Sequence, residues 1–526
     1  MPAAPPDRIP AEGTGLLRPP LFGDGEGAHV SARAEKAAGF FRKALQLQAQ
    51  QQELEAASNY ARALHLQPDF YEAAFNLGLL LQKKGQLAAA VECYRRATQL
   101  CPAYAPAWNC LGVALRDLGQ HAQAIESLGQ ALRLKPGWPV ALNNLGNALR
   151  SILRYDDAIA AFHLALAGDP GNAGIYENLG NALRETGRTG EAVAALRRAL
   201  GLRPDFAEAH WDLGFALLQQ GDLAEGFKEY EWRWRLADFP KREFAAPLWQ
   251  GQDLSGRTLL VHAEQGAGDA LQFVRFVGTL ARRGAQVIVE CPRPLASVLA
   301  TAEGVSAVVR KGEPLPPSDY HVPLLSLPLR LGISSVPAQT PYLQAPPEGR
   351  STALPSAPAG AGALKVGLAW QGNPRQKNDR QRSCALEALS PLLEVRGATF
   401  YSLQMPPAGQ AAAASENPGA SPSPAGGGAD NLIPLRGLIQ DYGDTARLME
   451  QLDLIITVDT SVAHLAGALG RPVWVLLCFA PCWRWQLHRT DSPWYPSMRL
   501  FRQPAPGDWR TVIANVCAAL QGSINL

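Results

Sequence analysis

The sequence lacks several features that would place it in a familiar class. No apolar run reaches the roughly 18–20 residues of a membrane-spanning helix, so no membrane span is expected. The net charge is only +2 and there is no basic tract, which argues against nucleic acid as a partner. The amino terminus has no basic start or apolar core of a signal peptide, and the eight cysteines follow no framework spacing. These absences predict a cytoplasmic protein.

Three stretches have compositions that cannot build a packed core. Residues 1–30 are rich in Pro and Gly, which predicts a disordered tail. Residues 405–430 consist largely of Ala, Pro, Gly and Ser, which predicts a disordered insertion without a chemical role. Residues 351–362, also rich in these types, are predicted to link two lobes.

The first half repeats itself at a fixed interval. Leu-Gly pairs and alanines recur every 34 residues, and so do the prolines Pro68, Pro102, Pro136, Pro170 and Pro204. This spacing is the signature of the tetratricopeptide (TPR) repeat, in which small residues let two helices pack closely. The pattern predicts an α-solenoid, a TPR superhelix, over residues 37–240, with five clear repeats after a degenerate one.

Asparagine recurs on the first helix of the repeats, although it is a poor helix former. The positions are Asn76, Asn144 and Asn178, with Asn147 and Asn181 one turn later. Side-chain amides can hold an extended peptide backbone. The arrangement resembles the asparagine ladder of O-GlcNAc transferases, which implies a groove for an acceptor peptide. Ordinary repeat consensus explains the same residues.

The last clear repeat differs from the others in its aromatic content. Tyr230, Trp232 and Trp234 fall within its second helix. Because the end of a solenoid normally carries a polar cap, this load predicts that the helix docks onto the next domain.

From Lys241 onward the pattern changes to alternating strands and helices, which is typical of an α/β fold. A first lobe is predicted over residues 251–350 and a second over 363–526. The predicted strands are 258–262, 286–290, 305–310, 364–370, 398–404, 452–458 and 473–477. The predicted helices include 270–283 and 509–520.

One stretch of the second lobe, residues 452–477, reads as a buried strand, a short helix and a second strand. Asp459, Thr460 and Ser461 stand between the first strand and the helix. Parallel sheets bind ligands at the carboxyl ends of their strands, and a helix N-terminus there suits a phosphate. A well-capped βαβ core unit without a ligand explains the pattern equally well.

The letters DTSVAHLAGALGRP resemble the donor-binding motif of the heptosyltransferase-like (family 9) GT-B glycosyltransferases. In that family the motif holds the diphosphate and ribose of a nucleotide sugar. Asp459, Thr460 and His464 match it, whereas Ser461 stands where those enzymes usually have Gly. The resemblance implies two Rossmann-like lobes, a nucleotide-sugar co-substrate without another cofactor, and metal-independent chemistry. It also implies that the final helix crosses back onto the first lobe.

The first lobe contributes the loop EQGAGD between a strand and a helix. Gly266 and Gly268 allow tight turns, and Asp269 falls at the helix N-terminus, where it can act simply as a cap. The loop resembles the first loop of heptosyltransferases, whose Asp is the catalytic base. That resemblance makes Asp269 the base for an acceptor hydroxyl, with His262 and Glu264 as nearby substitutes.

In the resembled family, the loop after the first strand of the second lobe approaches the donor phosphates. The corresponding loop here offers Asn373, Asn378, Arg380, Arg382 and Ser383. The two arginines would neutralise a leaving nucleoside diphosphate. A solvated polar loop is an equally good explanation for each residue taken alone.

The segment after the donor-type motif combines aromatic residues with arginines, among them Arg484, a set suited to stacking a base or sugar and holding phosphate. Its letters SPWYPSMRLFRQ are similar to a segment of bacterial TPR–glycosyltransferase fusions, in which Pro and Asp are expected at Cys478 and Cys482. Cys478 and Cys482 with His488 lack the second ligand pair of a zinc site, so no metal is predicted.

Together these features predict a glycosyltransferase that moves a sugar from a nucleotide-sugar donor to a protein selected by the TPR groove. One alternative is a non-catalytic TPR scaffold with a degenerate GT-B module. Another keeps the enzyme but makes the acceptor a glycan and gives the repeats a role in assembly.

Overall fold

The computed structural model describes residues 32–525 except 338, 348, 350–352, 358–361, 375, 377, 378 and 405–430. The predicted tail and insertion, and half of the predicted linker, therefore lie outside the described residues. The chain divides into two compact units, with the boundary between Ala209 and His210.

The first unit is a series of helical hairpins. Its helices are α1 (Ala32–Ala49), α2 (Glu53–Leu66), α3 (Tyr71–Lys83), α4 (Leu87–Leu100), α5 (Ala105–Asp117), α6 (His121–Leu134), α7 (Pro139–Ser151), α8 (Tyr155–Gly168), α9 (Ala173–Glu185) and α10 (Thr189–Leu202). Each even-numbered helix ends two residues before one of the repeated prolines, because Pro cannot continue a helix. The hairpin α1–α2 is the degenerate repeat.

The repeated glycines mark the points where the two helices of a hairpin come closest. A Cβ on Gly146 would lie 2.5 Å from Cε1 of Phe162, and one on Gly112 would lie 2.5 Å from Cγ of Leu128. The side chain of the second helix fills the space that the glycine leaves open. Any larger residue would push the two helices apart.

The turn inside each hairpin holds a residue with left-handed backbone at a 34-residue interval. Gly85, Gly119 and Gly187 occupy this position in three hairpins. Gln51 (φ 61°) and Leu153 (φ 64°) occupy it in two others. A side chain is strained in this conformation, so these two turns carry a local cost.

The second unit begins inside the fifth repeat. Helices α11 (Ala207–Gln220) and α12 (Leu223–Tyr230) and a 3₁₀-helix (Glu231–Arg235) complete that repeat. Arg233 of the 3₁₀-helix bonds to Glu264 at 3.0 Å and to Ser326 at 2.7 Å, both in the α/β part. These contacts confirm that the end of the last repeat docks onto the following domain.

The α/β part contains two parallel sheets. The first sheet has the order β3-β2-β1-β4 and the second β10-β9-β8-β5-β6-β7. The strands of the first are β1 (Thr258–His262), β2 (Gln286–Cys291), β3 (Val305–Arg310) and β4 (Tyr320–Pro323). Those of the second are β5 (Leu364–Ala369), β6 (Ala398–Ser402), β7 (Leu432–Pro434), β8 (Leu454–Val458), β9 (Val473–Leu477) and β10 (Met498–Arg502).

Short helices connect these strands. They are α13 (Ala267–Phe273), α14 (Val277–Arg282), α15 (Ala296–Leu299), α16 (Leu327–Arg330), α17 (Asp379–Arg382), α18 (Ser390–Leu393), α19 (Tyr442–Met449) and α20 (Ser461–Ala468), followed by the terminal α21 (Trp509–Ile524). The helix predicted over 270–283 starts earlier, at Ala267, and is interrupted by a 3₁₀-helix at Val274–Phe276.

The terminal helix corrects one expectation. Val512, Ile513 and Val516 of α21 share a hydrophobic core with Phe400 and Ile456 of the second sheet. The prediction that the final helix crosses back onto the first lobe is therefore wrong, because the apolar face of α21 is used by the lobe that contains it. Among the described residues, none of the helices is both long and apolar enough to traverse a bilayer.

Candidate functional site

Two predicted motifs meet where α13 and α20 begin. Strand β1 leads into α13, and strand β8 leads into α20. A Cβ on Gly268 would lie only 2.7 Å from Cδ2 of His464, so glycine is needed at this contact. We call Gly268, Asp269, Asp459, His464 and Arg484 the junction, because these residues surround the contact between the two helices.

The carboxylate of Asp269 is held by two partners. Its Oδ2 accepts a hydrogen bond from the backbone N–H of Gly266 at 2.8 Å, which is the half of a capping box that a glycine N-cap allows at the start of α13. Its Oδ1 is bonded to the Arg484 guanidinium, and the Asp269 side chain keeps 19% of its surface exposed. The capping contact is thus present, and the role of Asp269 as a base stays a prediction.

Arg484 of the second lobe is bonded to two residues of the first lobe, Asp269 and Gln272. Besides Asp269, it donates to the side-chain oxygen of Gln272 in α13 and, at 3.0 Å, to Sγ of Cys482. Its guanidinium carbon lies 4.4 Å from the ring centre of Trp483. A buried cation with this many partners is held in one orientation.

The imidazole of His464 is enclosed. Its ring stacks on Trp485 with 5.2 Å between ring centres, and its Nδ1 lies 3.0 Å from the hydroxyl of Tyr495. Burial, together with the charges of Arg484 and Arg275, holds the pKa of His464 well below its usual value. The ring is therefore neutral at physiological pH.

Asp459 and Arg382 are neighbours across the second lobe. Arg382 donates from Nη1 to the backbone oxygen of Asp459 at 3.3 Å and from Nε to Asp379 at 3.1 Å. Burial raises the pKa of the Asp459 carboxyl, while Arg382 acts in the opposite direction. The structure therefore brings one predicted phosphate-loop arginine to the donor-type motif.

The hydroxyls of the donor-type motif have partners within the second lobe. Thr460 caps α20 by accepting from the backbone N–H of Val462 at 3.3 Å. The hydroxyl of Ser461 lies 2.8 Å from that of Tyr442. This contact gives Ser461 a structural use at the position where the resembled enzymes usually have Gly.

Of the other residues predicted for the phosphate loop, Asn378 lies outside the described residues. Ser383 accepts from the backbone N–H of Gly372 at 2.9 Å and so closes the loop on itself. Asn373 and Arg380 are exposed. Arg382 contacts the junction through its hydrogen bond to the backbone oxygen of Asp459.

The repeated asparagines are largely used between and within repeats. Asn144 donates to Asn109 at 2.9 Å, and Asn178 donates to Asn143 at 3.1 Å, one repeat earlier in each case. Asn181 donates to Glu177, and the side chain of Asn147 is buried. The amide of Asn76 is enclosed without a hydrogen-bond partner among the described residues. These contacts give the recurrence a structural reason, and the peptide groove stays a prediction.

Sequence reasoning gave no role to Arg233, which is fully buried. It pairs with Glu264, in the loop before α13, and with Glu231. Burial raises the pKa of Glu264 to about 7, even though Arg233 opposes this. A signal was available, because Arg233 stands where earlier repeats have a small residue such as Ala199.

The cysteines of the aromatic segment have local contacts. Cys478 donates to the backbone oxygen of Ala480 at 3.4 Å, and Cys482 accepts from Arg484. In the part of the chain that the structure describes, no three His, Cys, Asp or Glu side chains are grouped to hold a metal ion.

The junction combines positive charge, which suits an anion, with the carboxyl groups of Asp269 and Asp459. Arg382, Arg484 and the N-terminus of α20 supply positive charge or partial charge. His464 supplies a neutral hydrogen-bonding group. Asp269 adds a carboxylate that is bonded to Arg484 and to the backbone N–H of Gly266.

Comparison with known proteins identifies the repeats. The family model described as "TPR repeat" matches residues 80–115 and 180–221, and that described as "Tetratricopeptide repeat" matches residues 111–173. Protein FlbA of Caulobacter vibrioides is 28% identical over 325 residues, which cover 57% of this chain and 53% of FlbA. The chain thus spans about half the length of this curated relative. The matched share is more than residues 1–240 supply, so the likeness extends into the α/β part.

Several solved TPR structures are similar to part of the chain. YrrB, a TPR protein with an unusual peptide-binding site, is 23% identical with a TM-score of 0.30, and covers 33% of this chain and 90% of its own. MamA is 24% identical with a TM-score of 0.31, and the match covers 33% of this chain and 95% of the MamA chain. A thermophilic TPR protein of Thermus thermophilus is 25% identical with a TM-score of 0.30, and the match covers 35% of this chain and 99% of that protein's chain. The family models identify tetratricopeptide repeats between residues 80 and 221, in the first half of the chain.

Proposed function

We propose that the chain is a glycosyltransferase whose α/β part binds a nucleotide sugar at the junction and whose repeats bind a protein acceptor. The two parallel sheets would then be the two lobes of a GT-B fold. The observation that carries the proposal is the meeting of the EQGAGD loop with the donor-type motif, at the carboxyl ends of β1 and β8.

The charges of the junction suit a nucleoside diphosphate as leaving group. Arg382 already contacts the donor-type motif, and Arg484 is held in place by Gln272. Cations that are fixed before the reaction stabilise the negative charge that grows on a departing diphosphate. Retention of Asp459, Thr460 and His464 gives the donor motif its polar groups.

The ion pair of Asp269 suggests how donor binding would prepare the base. In this structure Oδ1 of Asp269 is bonded to Arg484. A diphosphate that also binds the Arg484 guanidinium would weaken its bond to Oδ1, while Gln272 keeps the guanidinium in place and Gly266 keeps Oδ2 in place. The carboxylate would then take the proton of an acceptor hydroxyl as its oxygen attacks the anomeric carbon, and the diphosphate would leave with the bonding electrons.

The same ion pair favours a second candidate function. If Arg484 never leaves Asp269, the carboxylate stays occupied and the α/β part acts only as a binding module. The chain would then be a TPR scaffold, which is the broader function that repeats of this kind support.

The experiment is a thermal-shift screen of the full chain against UDP-, GDP-, ADP- and CMP-sugars. A ligand at about a hundred times its dissociation constant adds roughly 2.7 kcal/mol of stability. One nucleotide class should stabilise the wild type. Arg382→Ala should lose most of that gain, whereas Arg396→Ala, which changes an exposed arginine elsewhere in the second lobe, should keep it.

Turnover then separates the two candidates. Asp269→Asn keeps an oxygen for the Gly266 cap but removes the base. The enzyme hypothesis expects it to bind the nucleotide sugar without releasing nucleoside diphosphate. If no nucleotide sugar stabilises the folded wild type, the glycosyltransferase proposal fails and the scaffold remains.

A further inference from the structure

We propose that Tyr495 is a positioning residue of the junction, whose hydroxyl fixes the tautomer of His464 so that Nε2 carries the proton. The inference rests on the proposed function and deepens it, because the Nε2–H group is then the part of His464 that donates to a diphosphate oxygen. The argument starts from the hydrogen bonds around Tyr495.

Tyr495 is fully buried and held against α20. Its hydroxyl lies 3.0 Å from Nδ1 of His464 and 3.4 Å from the hydroxyl of Tyr342. A Cβ on Gly467 would lie 2.5 Å from Cδ1 of Tyr495, so the ring packs directly on the backbone of α20 one turn after His464. The ring position is therefore set by packing and does not depend on the hydroxyl.

Arg275 fixes the direction of the proton chain. It donates from Nη2 to the hydroxyl oxygen of Tyr342 at 2.9 Å, and a guanidinium has no acceptor. The proton of Tyr342 goes to the backbone oxygen of Leu271, also at 2.9 Å. Tyr342 therefore has no proton to donate to Tyr495, and the Tyr495 hydroxyl is the donor in its own hydrogen bond.

The nearer acceptor for the Tyr495 proton is His464. Of the two acceptors within reach, Nδ1 of His464 at 3.0 Å is closer than the Tyr342 oxygen at 3.4 Å. An imidazole nitrogen that accepts a hydrogen bond carries no proton, so in the neutral ring the proton must be on Nε2.

The other edge of the ring faces the first lobe. A Cβ on Gly268 would lie 3.4 Å from Nε2, and Trp485 covers one face of the imidazole. The ring cannot turn over without displacing one of these neighbours. Nε2–H is thus presented beside Gly268, and because the ring is neutral it adds a donor without a third positive charge next to Arg275 and Arg484.

The test observes the imidazole directly. The full chain is labelled with ¹⁵N-histidine, and His464 is assigned as the signal missing from His464→Gln. The wild type should show a neutral ring protonated on Nε2. Tyr495→Phe keeps the packing on Gly467 but removes the hydroxyl, and its His464 should show mixed tautomers. Tyr342→Phe is the matched control, since it leaves Tyr495 with His464 as its acceptor and should keep the wild-type tautomer.

A second measurement connects the tautomer to the ligand. UDP, GDP and ADP are titrated calorimetrically into the same three proteins. Tyr495→Phe should weaken binding of the preferred nucleotide by about two- to tenfold, the usual worth of one hydrogen bond. Tyr342→Phe should bind as the wild type does.

The outcomes are distinguishable. A wild-type ring protonated on Nδ1, or a tautomer that Tyr495→Phe leaves unchanged, overturns the inference whether or not nucleotides bind. A changed tautomer with unchanged affinity overturns the role of His464 toward the diphosphate. The expected tautomers without binding of any nucleotide would support the tautomer assignment and overturn the proposed function.

Discussion

The two compact units hold their buried polar side chains in different ways. In the first unit, Asn144 and Asn178 donate to asparagines 35 residues earlier, in the preceding repeat. In the second unit, Asp269 is bonded to Arg484, which lies 215 residues later. The first unit is therefore held by neighbours along the chain, and the second by partners that meet only when the whole unit has folded. A defect should stay local in the first unit and spread in the second.

The largest effect is expected at Arg233. Arg233→Met leaves Glu231 and Glu264 without their buried cation, which should cost about 3–5 kcal/mol. Guanidinium unfolding should show this loss in the transition of the second unit, and the transition of the first unit should not move. Arg235→Met, an exposed arginine of the same 3₁₀-helix, is the control. Equal losses for both variants would show that the buried pairs contribute nothing special.

The pH dependence of stability should reveal Glu264. Its pKa is raised from 4.5 to about 7, so between these values the folded unit binds a proton that the unfolded chain has lost. Stability should therefore fall as pH rises from about 4.5 to 7, by roughly 3 kcal/mol from this group. Urea unfolding of Glu264→Gln should show a flatter profile, whereas exposed Glu225→Gln should keep the wild-type slope. An unchanged profile in Glu264→Gln would exclude this carboxyl as the source.

Substituting one glycine in each unit tests how far a local packing defect spreads. Gly146→Ala and Gly268→Ala both place a Cβ within 2.7 Å of a neighbouring ring, and each should cost about 1–3 kcal/mol. Hydrogen exchange should rise only around α7 and α8 for Gly146→Ala, but in both α13 and α20 for Gly268→Ala. Gly201→Ala and Gly522→Ala, which meet nothing within 4 Å, are the controls. Equally local changes would remove the contrast between the units.

The smallest expected effect is a gain in the stability of the first unit. Gln51→Gly relieves a left-handed backbone at the position where other hairpins have glycine, and should stabilise the first unit by about 1 kcal/mol. Gln50→Gly, one residue earlier, should bring no gain because Gln50 is not in that conformation. A thermal melt of both variants decides between them, and a loss at Gln51 would contradict the strain argument.

Helices and strands that are set by patterns over short stretches of chain could be predicted from the sequence. The 34-residue period predicted the hairpins, and apolar runs predicted β1, β3 and β9 to the residue. The meeting of Gly268 with His464 and the pairing of Asp269 with Arg484 could not be predicted, because no local pattern records which distant side chains come together. The wrong placement of α21 has the same origin, since an apolar face read from the sequence does not say which lobe it packs against.

The contacts of the last repeat affect how the chain can be divided. Residues 207–235 have the spacing of a repeat, but two of them contact the loop that leads to Asp269. Tyr230 is hydrogen-bonded to Gln265, and Arg233 pairs with Glu264. The α/β part is therefore not an exchangeable module that begins where the repeat pattern stops. A chimaera that joins it to a foreign solenoid should fold when residues 210–235 travel with it, and a substitution within them counts as a change to the α/β part.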